Sequence, residues 1–172
     1  MPRNPVYWTR TKLPNDWNIS LAATDRGLCY LGLPRDESES LGDWVSQHIP
    51  GASLRDDPLP LTPYITELEE YVTRVRQDFS IPVDLYGTAF QVAVWQDLLR
   101  IPYGETRSYQ EIAQHLGRPR AVRAVGGANG ANPVPIVVPC HRVIGKNGSL
   151  TGYSGGLDIK TLLLQHEGLL LA

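Results

Sequence analysis

The segment Pro139-Cys140-His141-Arg142 sets a thiol directly beside an imidazole, and Glu167 supplies a carboxylate further along the chain. Sulfur attacks as the thiolate, so a base that takes the thiol proton and a carboxylate that orients the base would together make an activated sulfur nucleophile. The Cys-His pair alone is ambiguous, because adjacent side chains often point apart and a buried thiol is usually inert. Its surroundings favour chemistry. Ile136-Val137-Val138 reads as a short buried strand leading into Pro139, and a Gly-rich loop, Tyr153-Ser154-Gly155-Gly156, follows. Cys29, the second of two cysteines, lies in an apolar strand and reads as a packed thiol. Two cysteines so far apart make no disulfide framework and suit a reducing compartment. Of the four histidines, His48, His115, His141 and His166, only His141 neighbours a cysteine, so no metal and no cofactor is expected.

Several elements must hold these residues. Thr88 is placed to cap a helix over Ala89–Arg100, with Phe90, Val94, Trp95 and Leu98 supplying core contacts, and Ile101-Pro102-Tyr103-Gly104 ends it. Ser108-Tyr109-Gln110-Glu111 is a capping box that opens a short helix to Leu116, closed by Gly117. Pro119 suits the first turn of another helix running to about Ala128, which makes the pair a helix-turn-helix candidate. Asn132-Pro133-Val134-Pro135 is too rich in proline for regular structure. Val143-Ile144 and Leu150-Thr151 flank a turn containing Asn147-Gly148, and a last helix spans Leu157–His166, with Leu162, Leu163 and Leu169 available to the core.

Upstream, Asn18–Ala23 and Cys29–Leu33 alternate well enough to pair around Thr24-Asp25-Arg26-Gly27. Helical spacing covers Asp36–His48 and Pro63–Phe79, the second with Ile65, Leu68, Val72 and Val75 on one face. Pro50–Pro63 reads as an exposed connection between them. The fold class is therefore α+β: a small N-terminal antiparallel sheet with helices over residues 1–84, and a mostly helical, winged-helix-like C-terminal domain over 85–172 that carries the helix-turn-helix and the site.

The net charge of −2 conceals a division. Residues 1–99 hold 8 Lys and Arg against 14 Asp and Glu, a sum of −6, while residues 100–146 hold 7 against 2, a sum of +5. Such a local basic surface attracts phosphate through one face, although an ordinary solvated face would look the same in sequence. Within it, Ala121, Ala124, Gly126, Gly127 and Ala128 are all small, with Arg120 and Arg123 among them. Small side chains permit close approach, either to a packed neighbouring helix or to a DNA groove. No apolar run reaches membrane-span length and Met1–Thr11 lacks the apolar stretch of a signal peptide, so no membrane association and a cytoplasmic location are expected.

From Gly87 to Leu170 the chain resembles the O6-alkylguanine-DNA alkyltransferases, especially their short prokaryotic members. The resemblance runs through Ile101-Pro102-Tyr103-Gly104, Ser108-Tyr109, Arg123-Ala124-Val125-Gly126-Gly127, Asn132-Pro133, Pro139-Cys140-His141-Arg142-Val143-Ile144-Gly145, Gly152-Tyr153 and His166-Glu167-Gly168. It implies irreversible transfer of an alkyl group from O6-alkylguanine in DNA, with O4-alkylthymine a further candidate substrate, to Cys140 in a single turnover. His141 would act on the thiol through a water, Glu167 would hold the histidine, Asn132 would brace the loop, and Tyr109 would assist the departing guanine. Tyr153, the backbone near Ser154, and the carbonyls of Cys140 and Val143 would form the base pocket. The resemblance also puts Arg123 on a recognition helix that enters the minor groove of double-stranded DNA and replaces a flipped nucleotide. The helix's other contacts would come from Arg120, Ala121, Ala124, Gly126 and Gly127. A monomer is expected, with cooperative assembly on DNA left open.

Three rival functions remain at this stage. A damage-sensing relative that cannot accept the group would lack the cysteine, and this chain has Cys140. A sequence-reading winged-helix regulator would need base-reading side chains where Ala and Gly stand. A cysteine hydrolase would turn over repeatedly.

Overall fold

The computed structural model describes residues 4–34, 40–150 and 157–169. The chain divides into two compact units, Met1–Tyr86 and Gly87–Ala172. The α+β class is observed, with six α-helices and a small sheet among the described residues. No helix among them is long and apolar enough to cross a membrane.

The first unit is built on β1 (Pro5–Lys12), β2 (Asn18–Thr24), β3 (Gly27–Gly32) and β4 (Ser53–Asp56), in the order β3-β2-β1-β4. The expected hairpin forms: β2 and β3 run antiparallel with Thr24 opposite Gly27. Strand β1, rich in Val, Tyr, Trp and Thr as a strand should be, pairs antiparallel with β2 and parallel with β4. Sequence reading missed both β1 and β4. The exposed connection expected over Pro50–Pro63 contains β4, whose side chains show no apolar alternation because β1 holds it through backbone pairing, Pro5 opposite Ser53.

Helix α1 (Leu41–His48), capped by Ser40, lays Leu41, Trp44 and Val45 against Val6, Ala22, Cys29 and Tyr30 of the sheet. Residues 36–39 of the expected longer helix lie outside the described residues. His48 ends α1 stacked on Trp44 at 4.5 Å. Helix α2 (Thr62–Val72) is shorter than expected, and its buried face is Tyr64, Glu67, Leu68 and Tyr71. Of the expected face Ile65, Leu68, Val72 and Val75, Leu68 is fully buried, Ile65 and Val72 are half-buried, and Val75 lies beyond the helix end and is 73% exposed, so the buried stripe centres on Leu68 with Tyr64 and Tyr71 beside it. The chain turns out of the helix at Arg74, at a φ of +67°, and the Glu67 carboxylate accepts hydrogen bonds from Ser80 N at 2.8 Å and Ile81 N at 3.3 Å, fixing the strap that follows. That strap covers the free edge of β3, where Leu28 N donates to Pro82 O at 3.0 Å. Gly27 permits this approach, since a Cβ there would stand 2.7 Å from Pro82 O at a φ of +155°.

In the second unit, α3 (Ala89–Leu98) starts at the Thr88–Gln91 capping box and buries Val94, Trp95 and Leu98. A two-residue strand, β5 (Arg107–Ser108), runs into α4 (Tyr109–His115) through the Ser108–Glu111 capping box. Helix α5 (Val122–Gly130) completes the helix-turn-helix; it starts three residues after Pro119, with Ala121 at its N-cap. The run Ile136–Val138 is buried, but it forms tight turns where a strand was expected. Strand β6 (Val143–Ile144) pairs in parallel with β5, and the expected turn at Asn147-Gly148 forms, with Gly145 N donating to Ser149 O at 2.7 Å and Gly148 N to Gly145 O at 2.8 Å; Thr151 lies outside the described residues. Helix α6 (Leu157–His166) buries Ile159, Lys160, Leu163 and Leu164, whereas Leu162 is 47% exposed and does not join the core.

Candidate active site

Glu167 is the hub of the buried polar cluster. The proline and glycine that stop α3 shape the Ile101–Gly104 turn so that Gly104, at a φ of +78°, donates its N–H to Glu167 Oε1 at 3.2 Å. Arg142 donates from Nε to Oε1 at 2.8 Å and from Nη2 to Oε2 at 3.0 Å, while its Nη1 donates to Ile101 O at 2.7 Å. His141 Nε2 stands 2.7 Å from Oε2. Burial alone would raise the Glu167 carboxyl, but hydrogen bonds and charge from His141 and Arg142 outweigh it and hold the group well below the usual carboxylate range. An ionised Glu167 accepts only, so His141 Nε2 carries the proton. Burial also pushes the His141 imidazolium toward its neutral form, against the pull of Glu167. The result is a neutral imidazole whose Nδ1 lone pair has no hydrogen-bond partner among the described residues. A base in that state can receive a thiol proton.

Cys140 begins a single 3-10 turn, Cys140–Arg142, and has no exposed surface. Pro139, at φ −80° and ψ 63°, centres an inverse γ-turn in which Cys140 N donates to Val138 O at 2.8 Å. Asn132 closes the loop before it: Nδ2 donates to Val138 O at 2.8 Å and Oδ1 accepts from Val134 N at 3.0 Å. Asn129 Nδ2, from α5, donates to Cys140 O at 3.3 Å, and Lys160 Nζ, from α6, donates to Val143 O at 2.6 Å. Lys160 also lies over the Tyr109 ring at 5.8 Å. Burial lowers the Lys160 ammonium to about 8, an effect that Cys140 partly opposes.

Cys140, His141, Glu167, Asn132, Tyr109 and Val143 thus all belong to the second unit, the first three and Asn132 within one hydrogen-bonded neighbourhood. Tyr153 and Ser154 lie outside the described residues. The other cysteine, Cys29, has its thiol pushed up to about 12, first by burial and then by Asp84, and donates to Ala22 O at 3.4 Å, as an inert packed thiol does. Sequence reading missed Arg142, Lys160, Asn129 and Gly104 as parts of the site. One signal was available: Lys160 stands three and four residues before Leu163 and Leu164, a charge on the apolar face of its helix.

A second surface lies on α5. Arg120, Arg123, Ala124 and Gly127 are exposed, Ala121 and Gly126 half-buried, and Val125, Ala128 and Asn129 face inward. Ala128 leaves the small-residue face because its carbonyl accepts the Trp95 indole N–H at 2.8 Å. A Cβ at Gly126 or Gly127 would meet nothing within 4 Å, so packing within the protein does not require glycine at either position.

Residues 89–169 match the family model for the 6-O-methylguanine DNA methyltransferase DNA binding domain, and residues 6–85 the model for its ribonuclease-like domain. The methylated-DNA–protein-cysteine methyltransferase, inducible, of Bacillus subtilis is 50% identical over 162 residues, 94% of this chain and 90% of that one. The chain belongs to the O6-alkylguanine-DNA alkyltransferase family. A Methanosarcina barkeri methylated-DNA–protein-cysteine methyltransferase in the same family is 43% identical, covering 87% of this chain and 89% of its own. Among solved structures, Mycobacterium tuberculosis O6-methylguanine methyltransferase superposes with a TM-score of 0.80 at 41% identity, and the protein from that organism named OGT, in complex with DNA, with 0.78 at 39%. Each of these superpositions covers 94% of this chain and 92% of the other. These alkyltransferase relatives span both units of the chain.

Proposed function

We infer that this alkyltransferase repairs DNA by direct reversal, moving the alkyl group of O6-alkylguanine onto Cys140 in one irreversible event. The thiol proton passes through a water to His141 Nδ1. The sulfur then forms a bond to the alkyl carbon as the carbon–O6 bond breaks, and the electron pair leaves with guanine. Tyr109 donates to the departing base, so less charge develops on it. Glu167 keeps His141 in the tautomer that leaves Nδ1 free to accept. The observation that carries this reading is a buried thiol beside a neutral imidazole whose Nε2 is fixed at 2.7 Å on Glu167 and whose Nδ1 has no hydrogen-bond partner among the described residues.

The base would be held by Tyr109, Tyr153, the backbone near Ser154, and the carbonyls of Cys140 and Val143. A carbonyl has two lone pairs, so those already accepting from Asn129 and Lys160 can each take a further donor from the guanine amine. A wholly buried sulfur needs the alkyl carbon delivered to it, which favours a nucleotide turned out of the stack. Arg123 would take its place from the minor groove, with Arg120 near the phosphates and the Ala121, Ala124, Gly126 and Gly127 surface allowing the close approach. This assigns DNA recognition and alkyl acceptance to residues 85–172, leaving 1–84 as a separate sheet-bearing domain. O4-alkylthymine is a second substrate of the same chemistry. Two cysteines that form no disulfide with one another suit a reducing compartment, which favours the cytoplasm, and the protein would act as a monomer.

Counting repaired lesions tests the mechanism. With duplex O6-methylguanine in excess, repair stops at one lesion per protein molecule; continued turnover would instead indicate a hydrolase.

A further inference from the structure

Ile136 is the one non-glycine residue of the second unit, among those described, with its backbone in the left-handed region, at a φ of +72°. For a β-branched side chain this is sterically costly, and such outliers persist only where the surroundings over-determine them. The surroundings here are specific. Pro135 fixes its own φ and bars Val134 from the helical region, and Pro139 does the same to Val138. Val137 N donates to Pro135 O at 2.9 Å across Ile136, and Val138 N donates to Val134 O at 3.0 Å around it. Val138 O then accepts both the Asn132 amide and Cys140 N, each at 2.8 Å. The reversal at Ile136 therefore sets the carbonyl from which Cys140 is hung.

Glycine would make this reversal without steric cost. Ile136 is instead 1% exposed, with Val134 and Val138 fully buried beside it in the sequence. We propose that Ile136 is a positioning residue for alkyl transfer: its buried side chain anchors a strained turn in a single conformation, and that turn aims the Cys140 sulfur. A glycine turn of the same sequence would have more freedom, and reaction rates are sensitive to small misplacements of the attacking atom. The proposal rests on Cys140 being the alkyl acceptor.

Because the protein is consumed, the amplitude of methyl transfer counts competent molecules while the rate constant reports how well each is arranged. The experiment is single-turnover transfer from saturating O6-methylguanine duplex at low temperature by the wild type, Ile136→Val, Ile136→Ala and Ile136→Gly, alongside duplex affinity and melting temperature. The expected result is full amplitude in all four, a rate within threefold of wild type for Ile136→Val, and at least a tenfold fall for Ile136→Gly with duplex affinity unchanged. Ile136→Gly should also be at least as thermostable as Ile136→Ala, the reverse of the order at an ordinary backbone position. Wild-type rate in Ile136→Gly at full amplitude would overturn the proposal. So would a loss of amplitude at unchanged rate, failure of both small variants to fold, or Ile136→Gly melting below Ile136→Ala. A wild type that takes up no methyl group would instead overturn the transfer reading itself.

Discussion

Glu167 accepts two hydrogen bonds at each carboxylate oxygen, and the donors are the groups that the reaction needs held still. Replacing it with glutamine leaves Arg142 buried without its counter-charge, a defect that typically costs about 3–5 kcal/mol. Its folded carboxyl lies below the unfolded value, so its stabilising contribution is complete above about pH 4.3 and is lost as pH falls toward the folded value. Glu167→Gln is therefore expected to melt lower at neutral pH and to transfer about 100-fold more slowly at saturating DNA. An unchanged transfer rate would remove Glu167 from the relay. Lys160 shifts stability in the same sense, at higher pH. Burial brings its ammonium to about 8, below its unfolded value, so between those two the folded protein binds fewer protons and gains stability as pH rises. Over the same range the charge near Cys140 disappears. The wild-type transfer rate should carry a falling limb centred near pH 8 that is absent from Lys160→Met; identical alkaline profiles would show that the charge has no part in the rate. Cys140, His141 and Glu167 were legible in the sequence from residue type and family resemblance. Arg142 and Lys160 were not, because their partners are a distant carboxylate and a backbone carbonyl that only the folded chain brings near.

At the scale of elements, the cap at Thr88 and the capping box at Ser108 announced the starts of α3 and α4 correctly because a cap is a local signal, complete within four residues. Strand β4 and the β5–β6 pairing had no such signal. Their short segments are fixed by strands far away in sequence, Ser53 opposite Pro5 and Val143 opposite Arg107. Sequence alone left the small residues of α5 open between tight packing and close approach to DNA; Ala128 is buried, whereas a Cβ at Gly126 or Gly127 would meet nothing within 4 Å among the described residues, so packing does not require glycine at those two. Glycine within a helix is destabilising by about 0.5–1 kcal/mol relative to alanine, so retaining it on an exposed face needs another cause. Gly127→Leu is expected to fold with a melting temperature equal to or above wild type and to bind duplex at least about tenfold more weakly, ~1.4 kcal/mol. Undiminished DNA binding in that variant would mean that the groove does not meet this face.

Across the whole molecule, charge and chemistry segregate together. The acidic balance falls on residues 1–99 and the basic balance on 100–146, the stretch that contains the helix-turn-helix, the Asn132 loop and Cys140. Within that stretch Arg118, Arg120 and Arg123 are exposed, and such charges attract phosphate. The measurement that tests the central claim most directly is intact and peptide mass spectrometry of the protein after incubation with excess O6-methylguanine duplex. One added methyl group per chain, located on Cys140 and absent from Cys140→Ser, is the predicted result. A methyl group on any other residue, or bound DNA with no gain in protein mass, would contradict it.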